Sequence, residues 1–488
     1  MTAMESSNNP SPGQLSPGGA PAAGGWEVET VLRATGGQLL TGGRDTVFRA
    51  VVTDTRQLGP GDLFVALIGE HFDGHAFLAE AVRKGAAGLL VSAAPESLGE
   101  VPVILVGDTL KALGDLAAWR RAAMPGLRVV AITGSSGKTT VKEMTAAILS
   151  RGHNILKTKG NFNNLVGLPL SLLPVEPAQE FAVLEMGMNR PGEIARLTEI
   201  AAPDIACILN VMESHLAGLG DIEGVARGKG ELFAGLGAEA IMVVNNDDPR
   251  VVALAAGCPQ RQISFGTGAN ALVRATHIRG LGEEGILFTL HVGEERRRIT
   301  IRQPGLHTVA NGLAAAAMAH AAGAPLDDIV AGLESFAAAA NRLAICQVMG
   351  GLKVVNDTYN ANPGSVRAAL ATLRDLAGNR KQVAVLGDML ELGAHSVAAH
   401  RGVGETAAAM GCDLLFAVGR FAEQTVEGAR AGGMDNQQAR VFASKEEIVA
   451  HVRKLVVLGD LAAGDWLLVK GSRGMRMETV VDGLVGPL

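Results

Sequence analysis

Eight consecutive residues, Thr133-Gly134-Ser135-Ser136-Gly137-Lys138-Thr139-Thr140, carry the sharpest chemical signal in the chain; they follow the apolar run RVVAI and precede a segment with helical spacing. Glycines in such a loop let backbone N–H groups turn toward phosphate oxygens. Lys138 can then reach the β and γ phosphates and the Thr139 hydroxyl can bind Mg²⁺, at a helix N-terminus whose dipole favours anions. The common pattern Gly-x4-Gly-Lys-Ser/Thr would place glycine where this chain has Ile132, so the loop is a variant. ATP is the expected ligand. A phosphate loop alone does not separate a motor, a GTPase, a kinase and a ligase, since all need the same cradle.

Three further side chains could complete an ion site. Glu185 closes the apolar run FAVLE, so its carboxylate should emerge at the carboxyl edge of a sheet beside the loop, where it can hold Mg²⁺. His215 follows the run IACILN, and Lys229 comes after it in Gly228-Lys229-Gly230-Glu231. An acid, a histidine and a lysine reaching one sheet edge could hold a second ion. An ammonium has no acceptor to offer a metal, so Lys229 could ligate only as a carbamate, which requires the depressed lysine pKa that nearby cations can supply. A solvent-facing strand-end acid and a structural histidine are the plain alternatives.

These groups need a frame. LRVVAIT, FAVLEMG, IACILNV and AIMVVNN are continuous apolar runs interleaved with the helical segments EMTAAILS and EIARLTE, the pattern of a parallel sheet covered on both faces. A more irregular strand-rich stretch, 263–301, follows. Upstream, VFRAVV, DLFVAL and AGLLV with the helical HAFLAEAVRKGA form a small α/β module, and Pro125-Gly126 marks a break. From about Asn341, the runs KVVND, QVAVLGD, LLFAVG and DWLLVKG alternate with helical segments, as in a doubly wound dinucleotide-binding sheet. The expected fold class is α/β in three domains, 26–108, 109–337 and 338–488, the first small and the second built on the phosphate loop. Residues 1–25, rich in Ser, Pro, Gly and Ala, are expected to be a disordered extension.

Composition agrees with several cores. The 488 residues are 48% hydrophobic and 19% charged, far from the disordered class, and with aromatics at 3% the packing falls to Ala, Val and Leu. A net charge of -6 argues against general attraction to nucleic acid or anionic lipid. Any anionic substrate must therefore meet a local positive site. Cys207, Cys258, Cys346 and Cys412 stand far apart without metal or redox spacing, as expected of reduced cysteines in a cytosolic protein. The apolar stretch from Val309 to Ala324, mostly alanine, is too short and too interrupted to span a bilayer.

At this point the residues resemble the Mur ligases, ATP-dependent amide ligases of bacterial peptidoglycan precursor synthesis. The resemblance rests on Thr133 to Thr140, Leu184-Glu185-Met186-Gly187, Lys229-Gly230-Glu231-Leu232, Gly305-Leu306-His307 with Asn311, Asn341-Arg342, and Asp357-Thr358-Tyr359-Asn360-Ala361-Asn362-Pro363. It runs from about Trp26 to the C-terminus. Four segments are similar to the branch of the family that uses D-alanyl-D-alanine: Gly160 to Asn164 with Gly167 to Pro169, Tyr359 to Pro363, Leu386 to Gly393, and Lys470 to Glu478. Thr53-Asp54-Thr55-Arg56, Pro60 to Leu67 and Phe72-Asp73-Gly74-His75 resemble its UDP-binding domain.

The resemblance implies a cytoplasmic, monomeric ligase that joins D-alanyl-D-alanine to UDP-N-acetylmuramoyl-tripeptide through an acyl phosphate. It implies Lys138 and Arg342 on the phosphates of ATP, Thr139 and Glu185 on one Mg²⁺, and His215 with carbamylated Lys229 on a second. Asp357 is expected on ribose, Asn311 toward adenine, and Thr55 and Arg56 on the UDP moiety. Asn163 and Asn164 are expected on the substrate peptide, and Tyr359, Asn360 and Asn362 on the dipeptide. Because Lys138 and Arg342 fall in different domains, those domains must close on ATP. The chain departs from the family at Thr308, where asparagine is usual, at Thr55 and Thr358 in place of serines, and at Asn356 in place of a frequent aspartate. Rival readings are a sibling ligase (the one adding the third residue, or a folylpolyglutamate synthase) and a nucleotide-switched binding module without chemistry.

Overall fold

A computed structural model describes residues 25–70, 72–96, 100–337 and 341–486. The expectation for residues 1–25 therefore lies, Gly25 apart, outside the described residues. The chain divides into two compact units, one of residues 1–127 with 172–177 and one of 128–171 with 178–488.

The first unit carries a five-stranded sheet in the order Gln38–Thr41, Val103–Leu105, Gly88–Val91, Leu63–Val65, Val51–Val52, with the first pair antiparallel and the rest parallel. Phe64, Ala66, Ala81, Leu89, Val91 and Val103 form its core. The helix Thr109–Ala122 is capped by Asp108, whose Oδ1 accepts the N–H groups of Leu110 and Lys111 at 2.8 and 3.0 Å. The expected boundary at 108 would hand this helix to the central domain. The structure keeps it in the first unit, and the break falls where Pro125-Gly126 interrupts the chain.

The second unit holds two sheets. The first has nine strands, in the order Glu295–Ile301, Ile286–Val292, Val273–Gly280, Arg261–Gly266, Ile241–Asn245, Ile205–Ile208, Arg128–Thr133, Phe181–Glu185, Ile155–Lys157. Seven of these run parallel and the last two in sequence add antiparallel. The irregular stretch of 263–301 is thus an extension of the phosphate-loop sheet. Its irregularity has a local cause: the register shifts between Thr276 and Arg279, where His277 adopts a positive φ of 53°.

Alanine does the packing that aromatics would do elsewhere. In the helix His307–Ala322, Ala314 to Ala319 are all buried, and the helix lies against the helix Lys138–Leu149 and the sheet. Small side chains let these layers approach closely. Gly332 marks the limit, because a Cβ there would stand 2.5 Å from the Cα of Ile148 in the helix that follows the phosphate loop.

The second sheet has six strands, in the order Ala344–Gln347, Lys353–Asp357, Trp466–Lys470, Gln382–Gly387, Leu414–Val418, Ala439–Phe442, with the first antiparallel. Its four central strands are the apolar runs expected from sequence. The two edge strands are not, being short and only partly buried.

Candidate active site

The phosphate loop leaves the strand Arg128–Thr133, which lies between the strands Phe181–Glu185 and Ile205–Ile208. Both neighbours brace it. Asn210, just past the strand Ile205–Ile208, accepts Ser136 N–H on its side-chain oxygen at 3.0 Å and Ser135 N–H on its backbone carbonyl at 3.1 Å. Ser135 Oγ accepts Met212 N–H at 2.9 Å. Gly137 turns into the helix Lys138–Leu149 with φ 82°, and a Cβ there would meet Asn311 Oδ1 at 2.5 Å, so glycine is required on both counts.

Around this loop a bonded chain of side chains runs through two domains. Arg342 donates to Thr139 Oγ1 at 2.9 Å, Thr139 donates to Glu185 Oε2 at 2.8 Å, and Asn163 Nδ2 donates to Glu185 Oε1 at 2.8 Å. Glu185 is buried, and its own N–H is held by Thr158 Oγ1 at 3.0 Å. The Arg342 guanidinium also lies 3.7 Å from the centre of the Tyr359 ring, a cation–π contact that holds the fork flat. Lys138 Nζ donates to Gly134 O at 2.8 Å. Burial lowers its pKa, with the Glu185 carboxylate opposing and the Arg342 charge assisting.

Lys229 stands on the helix Ile222–Ala234 with 2% of its surface exposed. Burial, then the charge of Lys138, pushes its ammonium well below the ordinary lysine range. That direction favours the neutral amine. His215 caps the preceding short helix, Leu216–Leu219, at φ 54°, and its Nδ1 lies 2.5 Å from Glu391 Oε2, although poorly aligned for an N–H···O hydrogen bond. The imidazole nevertheless holds the Glu391 carboxyl below its ordinary range. Glu391 also takes a positive φ, of 66°, and its carbonyl accepts Ala217 N–H at 2.9 Å. Two left-handed residues thus meet where the C-terminal sheet docks on the segment after Asn210.

Other expected residues have partners of their own. Asn163 orients Glu185, as above, and Asn164 Oδ1 caps a turn by accepting Val166 and Gly167 N–H at 3.2 and 2.8 Å. Asn362 caps the helix Pro363–Ala377 in a reciprocal box with Ser365 and donates to Ser135 O at 3.3 Å. Asn360 Oδ1 accepts Ala361 N–H at 2.9 Å. Asp357 pairs with Lys470 at 2.5 Å across adjacent strands, and near it buried His307 leaves Nε2 without a protein partner. Asn311 lies against Gly137, at the phosphate end of the loop, while Thr308 turns inward to Pro304 O at 3.0 Å. The departures Asn356 and Thr358 bond each other, Thr358 Oγ1 donating at 2.8 Å. In the first unit, Arg56 pairs with Asp54 at 2.7 Å in an exposed turn, and Lys84 donates to Thr55 O at 2.9 Å.

Sequence reasoning gave no role to Asn210 or Thr158, and it met Lys470 and Glu391 only as members of resembling segments. Among the described residues no three carboxylate, imidazole or thiol side chains converge as a ready-made ion site, and no helix is long and apolar enough to cross a membrane.

Comparison with known proteins agrees with this arrangement. Residues 132–319 match the Mur ligase middle domain, 341–473 the Mur ligase glutamate ligase domain, and 47–121 the Mur ligase family catalytic domain. The chain is 42% identical over 444 residues to UDP-N-acetylmuramoyl-tripeptide--D-alanyl-D-alanine ligase of Escherichia coli, covering 91% of this chain and 95% of that one. Among solved structures, MurF from Acinetobacter baumannii superposes with a TM-score of 0.87 at 35% identity, covering 94% of this chain and 98% of its own. MurF from Thermotoga maritima in complex with ADP gives 0.78 at 28% identity, covering 89% and 96%.

Proposed function

The chain belongs to the Mur ligase family, and from that premise we propose that it joins D-alanyl-D-alanine to UDP-N-acetylmuramoyl-tripeptide with ATP, as a monomer in the cytoplasm. The reaction makes an acyl phosphate from the tripeptide carboxylate and the γ-phosphate, and the dipeptide amine then attacks the acyl carbon and expels phosphate. The observation that carries this reading is the continuous chain Arg342, Thr139, Glu185, Asn163, which puts a cation of the C-terminal domain on the phosphate loop of the central one.

A carboxylate approaching a triphosphate meets like charge, so both partners need cations in the water-poor site. Lys138 and Arg342 supply two. Thr139 and buried Glu185 fit one Mg²⁺, which typically binds one or two carboxylates together with substrate phosphates. His215 and Lys229 would serve a second. An ammonium could not, but a neutral Lys229 amine can add to CO₂, forming a carbamate anion and releasing a proton. The depressed pKa supports that modification. Bound Mg²⁺ would neutralise charge developing on the phosphoryl oxygens. Asp357 on the ribose, Asn311 near the nucleotide, and Thr55 with Arg56 on the UDP group complete the reading. Tyr359, Asn360 and Asn362 fit better as the frame of Arg342 and of the domain contact than as direct dipeptide ligands.

An acceptor panel tests it. With ATP and UDP-N-acetylmuramoyl-tripeptide, purified protein should use D-alanyl-D-alanine and reject single amino acids and glutamate. Preference for a single amino acid or glutamate would assign the chain to a sibling reaction.

A further inference from the structure

We infer that the cleft between residues 213–216 and the helix Pro363–Ala377 seats the acceptor dipeptide, with Arg367 taking its carboxylate and Glu213 its ammonium. The inference rests on the ligase reading above. The cleft encloses about 200 Å³ and is lined by Glu213, Leu216, Arg367, Leu392, Ala398 and Ala399, among others. It is smaller than the roughly 300–1,000 Å³ pockets of drug-sized ligands, which suits a compact dipeptide. Its apolar wall is built of leucine and alanine side chains, matching two methyl groups. Its charged groups have opposite sign, matching a zwitterion.

Length and direction agree as well. Arg367 lies four positions, or about 6 Å of helix rise, beyond Pro363, and an extended dipeptide spans about 7 Å. The start of that helix abuts the phosphate loop, because Asn362 donates to Ser135 O at 3.3 Å. Glu213 is at the same end, since its neighbour Ser214 donates to Ser135 Oγ at 3.0 Å. A dipeptide in this orientation turns its nitrogen toward the reacting phosphate and its carboxylate away. Both charged side chains are exposed and, among the described residues, neither is tied up in an ion pair or side-chain hydrogen bond. Each is therefore available to a ligand, and a guanidinium can grip a carboxylate with two parallel N–H···O bonds.

The test pairs a protein change with a ligand change. D-Alanyl-D-alanine and D-alanyl-D-alaninamide, which lacks the carboxylate charge, are compared on wild type and on Arg367→Gln, with a thermal melt to establish folding. Wild type should prefer the acid. Arg367→Gln should raise KM for the acid about ten- to hundredfold, erase the acid-over-amide preference, and leave KM for ATP and for the UDP-tripeptide within about twofold. Arg367→Lys should recover part of the preference. A folded Arg367→Gln that keeps both its dipeptide KM and the preference would overturn the assignment. Wild type that uses no dipeptide would instead overturn the ligase reading beneath it.

Discussion

Arg342 donates to Thr139 Oγ1 at 2.9 Å across 203 positions of sequence, and Thr139 passes the connection on to Glu185 at 2.8 Å. The hydroxyl accepts from one domain and donates within the other. A residue of the phosphate loop that is expected to bind Mg²⁺ is thereby oriented by a cation of the C-terminal domain. Domain docking and site assembly become one event.

Substituting Arg342 tests that coupling. Lysine keeps the charge but loses both the planar fork and the flat contact with Tyr359. Arg342→Lys should therefore behave nearly as badly as Arg342→Ala, each lowering kcat by about 10²–10³-fold, the range for loss of one preorganised charge-stabilising group. Steady-state kinetics checks this, and near-normal kcat in Arg342→Lys would show that charge alone suffices.

Asn163 was expected at the substrate peptide, yet its amide holds Glu185. The two roles give different kinetics. Asn163→Ala should raise the Mg²⁺ concentration for half-maximal rate by about 10–100-fold, the usual range for loss of a group that orients a metal ligand, with little change in KM for the UDP-tripeptide. A rise in peptide KM at unchanged Mg²⁺ dependence would restore the peptide role.

Burying the Lys229 ammonium costs stability. Its pKa is depressed in the folded protein, so between the folded and ordinary lysine values the unfolded chain binds the extra proton, and stability rises with pH through that window. Lys229→Met removes this penalty. In CO₂-free buffer the variant should melt above wild type at pH 7, and the gap should narrow as pH climbs toward the ordinary lysine value. A gap that stays constant with pH would mean the ammonium is accommodated in its charged form.

The same residue should reveal the carbamate in activity. Lys229→Ala is expected to be nearly inactive and to be partly rescued by acetate, which supplies a carboxylate to the vacated space. Wild type stripped of CO₂ should lose turnover and regain it with bicarbonate. Indifference to both acetate and CO₂ would point to a plain ammonium paired with phosphate.

What could be read from sequence follows from how each element is buried. Strands such as Phe181–Glu185 and Gln382–Gly387 are covered on both faces and so appear as unbroken apolar runs. The edge strands Ala344–Gln347 and Ala439–Phe442 are half exposed and lack that signature. The phosphate loop was legible because its parts are consecutive. The Asn163 to Glu185 bond and the His215 to Glu391 contact were not, because no local pattern encodes which side chains, apart in sequence, the fold brings together. Asn-rich segments also form turns, and Asn164 and Asn362 turned out to be caps.

ATP-driven ligation by this chain should need both co-substrates and the phosphate loop. Phosphate release by the purified protein measures it most directly, with ATP, UDP-N-acetylmuramoyl-tripeptide and D-alanyl-D-alanine supplied together and with each omitted in turn. Release should be sustained only with all three and matched one to one by pentapeptide product, and it should fall about 10²–10³-fold in folded Lys138→Ala. Release that continues without the dipeptide or the UDP-tripeptide, or that survives in Lys138→Ala, would contradict it.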